Sequence, residues 1–446
     1  MRKILLPLFL LSAMIGCSNL EDADPSNRKT FIKFFNGAYT LSATSVESIP
    51  GGYVILGNMQ VNDTLIVTVV IVTDENGNQV GEPHRFPGGS GKAIKPIISG
   101  AGVVDGYVIV GDSIKIDPLA EQAANTEIAS MRVLHLNANL DYPAMNTYFR
   151  SDNSDISPEH PVKQDFFGQA LTITSDGKVF VLGGFKEGIV GQQAAPQKTF
   201  LMQLNNQVSP VWSIDYDLYG RTYQNAKSLI YANVNGNGKI VWSAALAVDQ
   251  GGFNKSYISI PVAAEQSTFM SFDLLGENTD QLFLPGDITA TAKDPAFGFG
   301  VTGRYSIETN GSKSNLFFVH VNGSGEIEEE TLLFFDGRSG IIPLENENES
   351  IVQDGGETIT STKDGGYVIA GYTELSSGNG KDLWLIKLDG SFHPEWQKTM
   401  GGSGDQVPCA IRELSSGELL ICGTNTVGGF SSIFLVKTDN KGEIAK

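Results

Sequence analysis

Acid–base chemistry in this 446-residue chain would have to come mostly from carboxylates, because 50 Asp and Glu residues stand against five His and three Cys. His84, His135, His160, His320 and His393 are scattered, and none forms the HxxxH or HExxH spacing that brings two imidazoles onto one zinc ion. No Ser sits in GxSxG, and the GGSGK beginning at Gly88 lacks both the frame and the Ser or Thr of a phosphate loop. Asp74-Glu75-Asn76-Gly77-Asn78 opens like a calcium loop, but its twelfth position is Arg85 where a bidentate Glu is required, so a hairpin turn explains it better. Carboxylates from distant segments could still meet around a common axis for glycosidic or lyase chemistry, although fifty acids single out no pair. No spacing calls for a metal or a cofactor.

The most suggestive polar stretch is Asp215-Tyr216-Asp217-Leu218-Tyr219-Gly220-Arg221-Thr222-Tyr223. Carboxylates beside flat aromatic rings can hydrogen-bond to and stack on a sugar, or meet a cationic protein patch. Asp215, Tyr216, Asp217, Tyr219, Arg221 and Tyr223 are therefore candidate binding residues, with the alternative that the tyrosines brace a structural junction. The acids between Glu345 and Asp354 follow no spacing that forces a site and read as a solvated loop. A formal charge of −19 repels nucleic acid, which excludes it as a partner.

The elements that would position these groups are short strands. Val, Ile, Phe, Tyr and Thr crowd the apolar runs, Gly, Asp and Ser close them, and no long stretch carries helical periodicity, so the chain is all-β. One run ends on Gly and recurs seven times: GGYVILG at Gly51, DGYVIVG at Asp105, DGKVFVLGG at Asp176, GKIVWSAAL at Gly238, AFGFGVTG at Ala296, GGYVIAG at Gly365 and GELLICG at Gly417. The fourth copy has lost its terminal Gly. A second run follows most of them, as MRVLHLN at Met131, TFLMQLN at Thr199, LFFVHVN at Leu316, DLWLIKLD at Asp382 and SIFLVKTD at Ser432. Trp212 and Trp396 stand at one distance beyond Asn205 and Asp389, and His135 and His320 occupy the position of Gln203, Lys387 and Lys437.

Strands that are apolar at consecutive positions must be covered on both faces. Four-stranded antiparallel sheets stacked around an axis meet that demand and leave few open edges. The DGGYhhAG, DhWhhKhD and WxKxhGG pattern (h, any apolar residue) of residues 364–402 resembles the β-propeller repeats of secreted bacterial and archaeal proteins. That resemblance spans nearly all of residues 30–446, implies a single seven-bladed propeller domain, and brings no activity with it. The Asp box of sialidase-type propellers, SxDxGxTW, is absent.

At the N-terminus, Arg2 and Lys3 precede an apolar run from Ile4 to Ile15 that is too short to span a bilayer. With Gly16 before Cys17, residues 1–16 resemble the signal peptide and lipobox of bacterial lipoproteins, although Met14 replaces the usual Leu. The resemblance implies cleavage before Cys17, lipidation of its thiol, and attachment to the outer membrane. Residues 17–29 then form a flexible tether, and Glu21-Asp22 resembles the acidic export tag of Bacteroides-like surface lipoproteins, without its usual preceding Lys. Cys409 and Cys422 flank the turn Ser415-Ser416-Gly417; they are either buried free thiols or a cross-strand disulfide.

The last repeat ends without its outermost strand, and FIKFFNG (Phe31 to Gly37) fits that place, with Phe31 aligned to Trp396 and Gly37 to Gly402. The N-terminal strand is thus expected to complete the final blade and close the ring. Tight turns fall on one side of such a domain, while the insertions 112–130, 151–165, 185–197, 215–223 and 335–355 fall on the other, where binding usually resides. The favoured reading is a non-catalytic lipoprotein scaffold that binds a glycan or a protein partner through the long loops. The alternatives are a polysaccharide-active hydrolase or lyase with axial carboxylates, and a structural subunit of an envelope complex.

Overall fold

The computed structural model describes residues 30–62, 65–116, 127–141, 144–148, 162–189, 197–218, 221–234, 237–248, 281–292, 298–307, 313–323, 327–338, 340–342, 353–374 and 380–444. Residues 1–29, including Cys17, lie outside this set. Among the described residues there is no α-helix, only strands and one 3₁₀ turn, Glu329–Thr331.

After β1 (Phe31–Phe35), one sheet comprises β2 (Thr40–Ile49), β3 (Gly52–Gln60), β4 (Ile66–Asp74) and β5 (His84–Pro87). The next comprises β6 (Ser90–Ile98), β7 (Val104–Ile116), β8 (Glu127–Asn137) and β9 (Ala144–Tyr148). A six-stranded sheet contains β10 (Val162–Ile173), β11 (Val179–Ile189), β12 (Gln197–Leu204), β13 (Pro210–Leu218), β14 (Arg221–Val234) and β15 (Asn237–Val248), joined in its middle by two residue pairs only. A five-stranded sheet follows with β16 (Gln281–Ala290), β17 (Phe299–Ile307), β18 (Asn315–Val321), β19 (Leu333–Asp336) and β20 (Gly340–Ile342). Then come β21 (Gly355–Ser361), β22 (Tyr367–Thr373), β23 (Asp382–Leu388) and β24 (Pro394–Met400). The last sheet holds β25 (Asp405–Glu413), β26 (Leu419–Val427) and β27 (Phe430–Thr438), and its outer strand is β1. Phe31 pairs with Lys437 and Phe35 with Ile433, so the N-terminal strand completes the final sheet as its sequence suggests.

Both sequence runs are explained by burial. The Gly-closed runs are second strands and the Asn- or Asp-closed runs are third strands, and β18, β22 and β23 bury nearly every residue because a sheet covers each face. The core is accordingly divided into slabs between neighbouring sheets. One slab joins Phe35, Val46 and Ile71 to Leu420, Cys422 and Leu435; another joins Phe318 to Tyr367, Ile369 and Trp384. The first strands touch in succession, β2 with β6, then β10, β14, β16, β21 and β25, and β25 touches β2.

Among the described residues, the Asn or Asp at the end of five third strands builds the next turn. The side-chain oxygens of Asp74, Asn137, Asn205, Asp389 and Asp439 each accept from the backbone N–H groups two and four residues on, at 2.8 to 3.0 Å. Asp74 is therefore a turn former. The fourth residue of each turn needs positive φ, which glycine supplies at Gly77 and Gly442, while Leu140, Val208 and Phe392 adopt it at some strain.

Deleting Thr30 to Gly37 removes the outer strand and the Phe31 and Phe35 side chains from a closed apolar slab. The truncated chain is expected to lose its cooperative thermal transition, and an unchanged Tm would refute this role. Phe35→Ala alone should cost about 3 kcal/mol in denaturant unfolding.

Candidate functional site

The first strands share a feature that sequence spacing does not reveal: each carries a β-bulge at one level. The extra residues are Thr44 in β2, Lys92 in β6, Gln169 in β10, Gly286 in β16, Glu357 in β21 and Cys409 in β25, and β14 has a longer irregularity that ends at Lys227. A bulge re-aims its side chain out of the pleat. All seven of these residues line one cavity of about 260 Å³, with walls drawn from every first strand.

Downstream of each bulge the register repeats. The next residue is small or hydrogen-bonding (Ser45, Ala93, Ala170, Ser228, Asp287, Thr358, Ala410), and the one after it is a buried aliphatic (Val46, Ile94, Leu171, Leu229, Ile288, Ile359, Ile411). The third position holds Glu47, Lys95 and Arg412 on three adjacent strands. Glycine is required just before several bulges: a Cβ on Gly91, Gly168 or Gly356 would stand 2.8 Å or less from Thr68, Val110 or Thr302. Second strands clamp the bulges of the next sheet, since Gly91 N–H donates to Asn58 (2.7 Å), Gly168 N–H to Asp112 (3.1 Å) and Ala43 N–H to Thr424 (3.0 Å).

The charged residues that line this cavity, Lys92, Lys95, Lys227, Asp287, Glu357 and Arg412, are all partnered, most of them across sheets. Glu47 accepts from Lys95 Nζ at 2.6 Å and from Arg412 Nη2 at 2.8 Å, tying β6, β2 and β25 together. Burial alone would raise the Glu47 pKa, yet Arg412 and Lys95 overcome it and hold the carboxyl at about 2. Asp287 takes hydrogen bonds from Ser228, from its neighbour's N–H (2.8 Å), from Thr358 Oγ1 (2.8 Å) and from Ile359 N–H (3.0 Å), so both oxygens are used. Lys227 lies 3.5 Å from Glu357, and Lys92 lies 3.7 Å from Asp112, whose pKa burial raises. Among the described residues no histidine or tyrosine lines this cavity.

A larger hollow of about 600 Å³ opens between the β21–β24 sheet and the last sheet, on the side of the tight turns. Its buried Lys387 donates to Asp364 (2.9 Å), Glu395 (3.0 Å) and the Leu388 carbonyl (2.9 Å), so every donor is satisfied. The equivalent His320 is also structural: its Nδ1 lies 2.7 Å from Glu328 and its ring stacks on Phe392, with burial lowering its pKa against the pull of Glu328. On the opposite side, Asp336 and Asp354 are buried where β19 meets β21. Burial, with Asp336 nearby, pushes Asp354 up to about 6 although Gly337 N–H donates to it at 2.7 Å.

The stretch 215–223, expected to be a loop, is mostly paired strand. Asp217 pairs with Thr222 and Leu218 with Arg221, and pairing lets both backbones keep their hydrogen bonds. Asp215 is half-buried in β13 opposite Phe200 and lines neither cavity. The side chains of Tyr216, Asp217, Arg221 and Tyr223, and all of Tyr219, lie outside the described residues. Insertions 112–130 and 185–197 likewise begin as strand, with β7 running to Ile116 and β11 to Ile189. Asp354 is no solvated loop residue, since it is fully buried.

These two acids give opposite pH signatures. Glu47, depressed from about 4.5 in the unfolded chain, adds stability above that pH that is lost as pH falls towards 2. Glu47→Gln should thus cost about 3 kcal/mol at pH 7 and almost nothing at pH 2, measured by denaturant unfolding. Asp354 is raised, so its penalty develops as pH climbs from about 3.8 to 6. Asp354→Asn should stabilise the fold by up to about 3 kcal/mol at pH 7 and converge with wild type below pH 4; equal offsets at all pH values would refute both assignments.

No family model matches the chain, and no curated protein matches it in sequence. Solved structures do match in shape. A structure described as a polysaccharide lyase PL25, an ulvanlyase, superposes with a TM-score of 0.52 at 10% identity over 94% of this chain and 97% of that one. A second, described as polysaccharide lyase Uly1, gives 0.47 at 9% identity over 91% of each chain. The β-propeller domain of the Trilobed protease from Pyrococcus furiosus gives 0.44 at 10% identity over 92% of this chain and 100% of that domain. At such identities the likeness concerns the fold alone; the propeller-like, all-β arrangement of this chain is read from its own succession of antiparallel sheets.

Proposed function

We propose that the chain is a lipid-anchored envelope protein in which a seven-bladed β-propeller, closed into a ring by β1, binds a glycan or protein partner through its long-loop rim without acting on it chemically. The observation that carries this reading is the state of the axial carboxylates. A general acid must hold a proton near working pH, and a general base needs a free lone pair aimed at substrate. Glu47 is held ionised between two cations, Asp287 has both oxygens occupied, and Glu357 faces Lys227. These groups bind sheets to one another.

The ring is supported by the succession of touching first strands and by the seven bulges around one cavity. Anchoring through Cys17 is supported by the sequence before it and by the direction of β1. That strand starts beside Lys437, at the tight-turn end of β27. On this proposal the long-loop rim points away from the bilayer, towards a partner.

One observation favours a second reading, a polysaccharide hydrolase or lyase: the axial cavity is polar and lies where the first strands converge. Incubating the full chain, with its lipid anchor held in detergent, with a panel of host and bacterial polysaccharides separates the two. Retention without shortened or unsaturated product is expected, and product release that grows with enzyme concentration would overturn the non-catalytic reading.

A further inference from the structure

The chain has three cysteines, and the two beyond Cys17 meet in one sheet. Cys409 is the extra residue of the β25 bulge, and the residue opposite that bulge on β26, across from Ala410, is Cys422. In such a bulge two residues on one strand share one partner, and here Cys409 packs against the apolar slab that holds Cys422, close enough for its thiol to influence the ionisation of Cys422. They differ in access. Cys422 is fully buried, whereas Cys409 is half-buried and lines the axial cavity, at a level where other first strands place Thr44, Lys92, Gln169, Lys227, Gly286 or Glu357. Arg412 enters the same cavity and is near enough to Cys409 for the two to interact electrostatically.

The geometry points to Cys409 and Cys422 as a covalent modification site: a dithiol that small organic disulfides, entering through the axial cavity, convert to a disulfide between β25 and β26. The nucleophile is the thiolate of the accessible residue, Cys409, formed by loss of its proton to solvent. It attacks one sulfur of the small disulfide, whose S–S bond breaks as the first thiolate leaves. The sulfur of Cys422 then attacks that of Cys409 and expels the second small thiolate, which takes the Cys422 proton, while the first small thiolate takes a proton from solvent. The protein loses two protons and two electrons, and the small disulfide is reduced to two thiols. Burial pushes the Cys422 thiol up, which makes it a poor first nucleophile and a resolving one only once Cys409 carries the leaving group beside it.

The test uses the full chain carrying Cys17→Ser, so that two thiols remain. It is treated at pH 8 with bis(2-hydroxyethyl) disulfide, then denatured, alkylated and weighed. The expected product takes up no alkylating agent, has lost two hydrogens, stays monomeric, and yields one cross-linked peptide pair containing Cys409 and Cys422. Adding Cys422→Ala should trap a mercaptoethanol adduct on Cys409, while Cys409→Ala should react at least tenfold more slowly. Two alkylated thiols, a stable adduct on the two-thiol chain, a link between chains, or equal rates for the two variants would overturn the assignment.

Discussion

Everything in this molecule follows from strands that are apolar on both faces. A sheet such as β21–β24 cannot leave either face in water, because Trp384, Leu385, Ile386 and Tyr367 point to both sides of it. Each sheet therefore needs two neighbours, and an open row would leave two faces uncovered. The strand β1 pairs with β27 in the last sheet, and an apolar slab lies between that sheet and β2–β4. Such long-range pairing makes loop closure a folding cost that only complete assembly offsets.

Stacked sheets need registration, and the axis supplies it with polar groups. The bulges turn one residue per first strand towards the cavity; a small or hydrogen-bonding residue and then a buried aliphatic follow, and three adjacent strands next carry the charges Glu47, Lys95 and Arg412. Glu47 is shared by Arg412 and Lys95 from two other sheets, and Asp287 by Ser228 and Thr358. Buried pairs of this sort contribute less to net stability than to fixing one arrangement, since their desolvation offsets much of the attraction.

Much of the architecture was legible in the sequence because it depends on local patterns. Consecutive apolar runs named the second and third strands, the Asn or Asp after five third strands announced their turns, and the likeness of FIKFFNG to the strand around Trp396 located β1. The axial site was not legible, for a physical reason. A bulge is a property of a strand and its partner, and Thr44, Lys92, Gln169, Gly286, Glu357 and Cys409 share no residue type. Nor does anything local connect Glu47 with Arg412, which lies 365 residues away. Residues 215–218 and 221–223 are strand rather than the expected loop: tyrosine-rich, acidic sequence looks like a loop, whereas two backbones in register were free to pair. His135 and His320 were placed correctly by their position in the repeat, and burial accounts for both.

If the charges on the axis hold sheets together, Glu47 and Arg412 must be energetically coupled in the fold itself. A double-mutant cycle with Glu47→Gln and Arg412→Met, followed by denaturant unfolding at pH 7 and at low salt, measures that coupling. About 1 kcal/mol or more is predicted, fading below pH 3 as the carboxyl protonates. Additive effects, with no coupling at either pH, would contradict the account and return these residues to the search for a catalytic role.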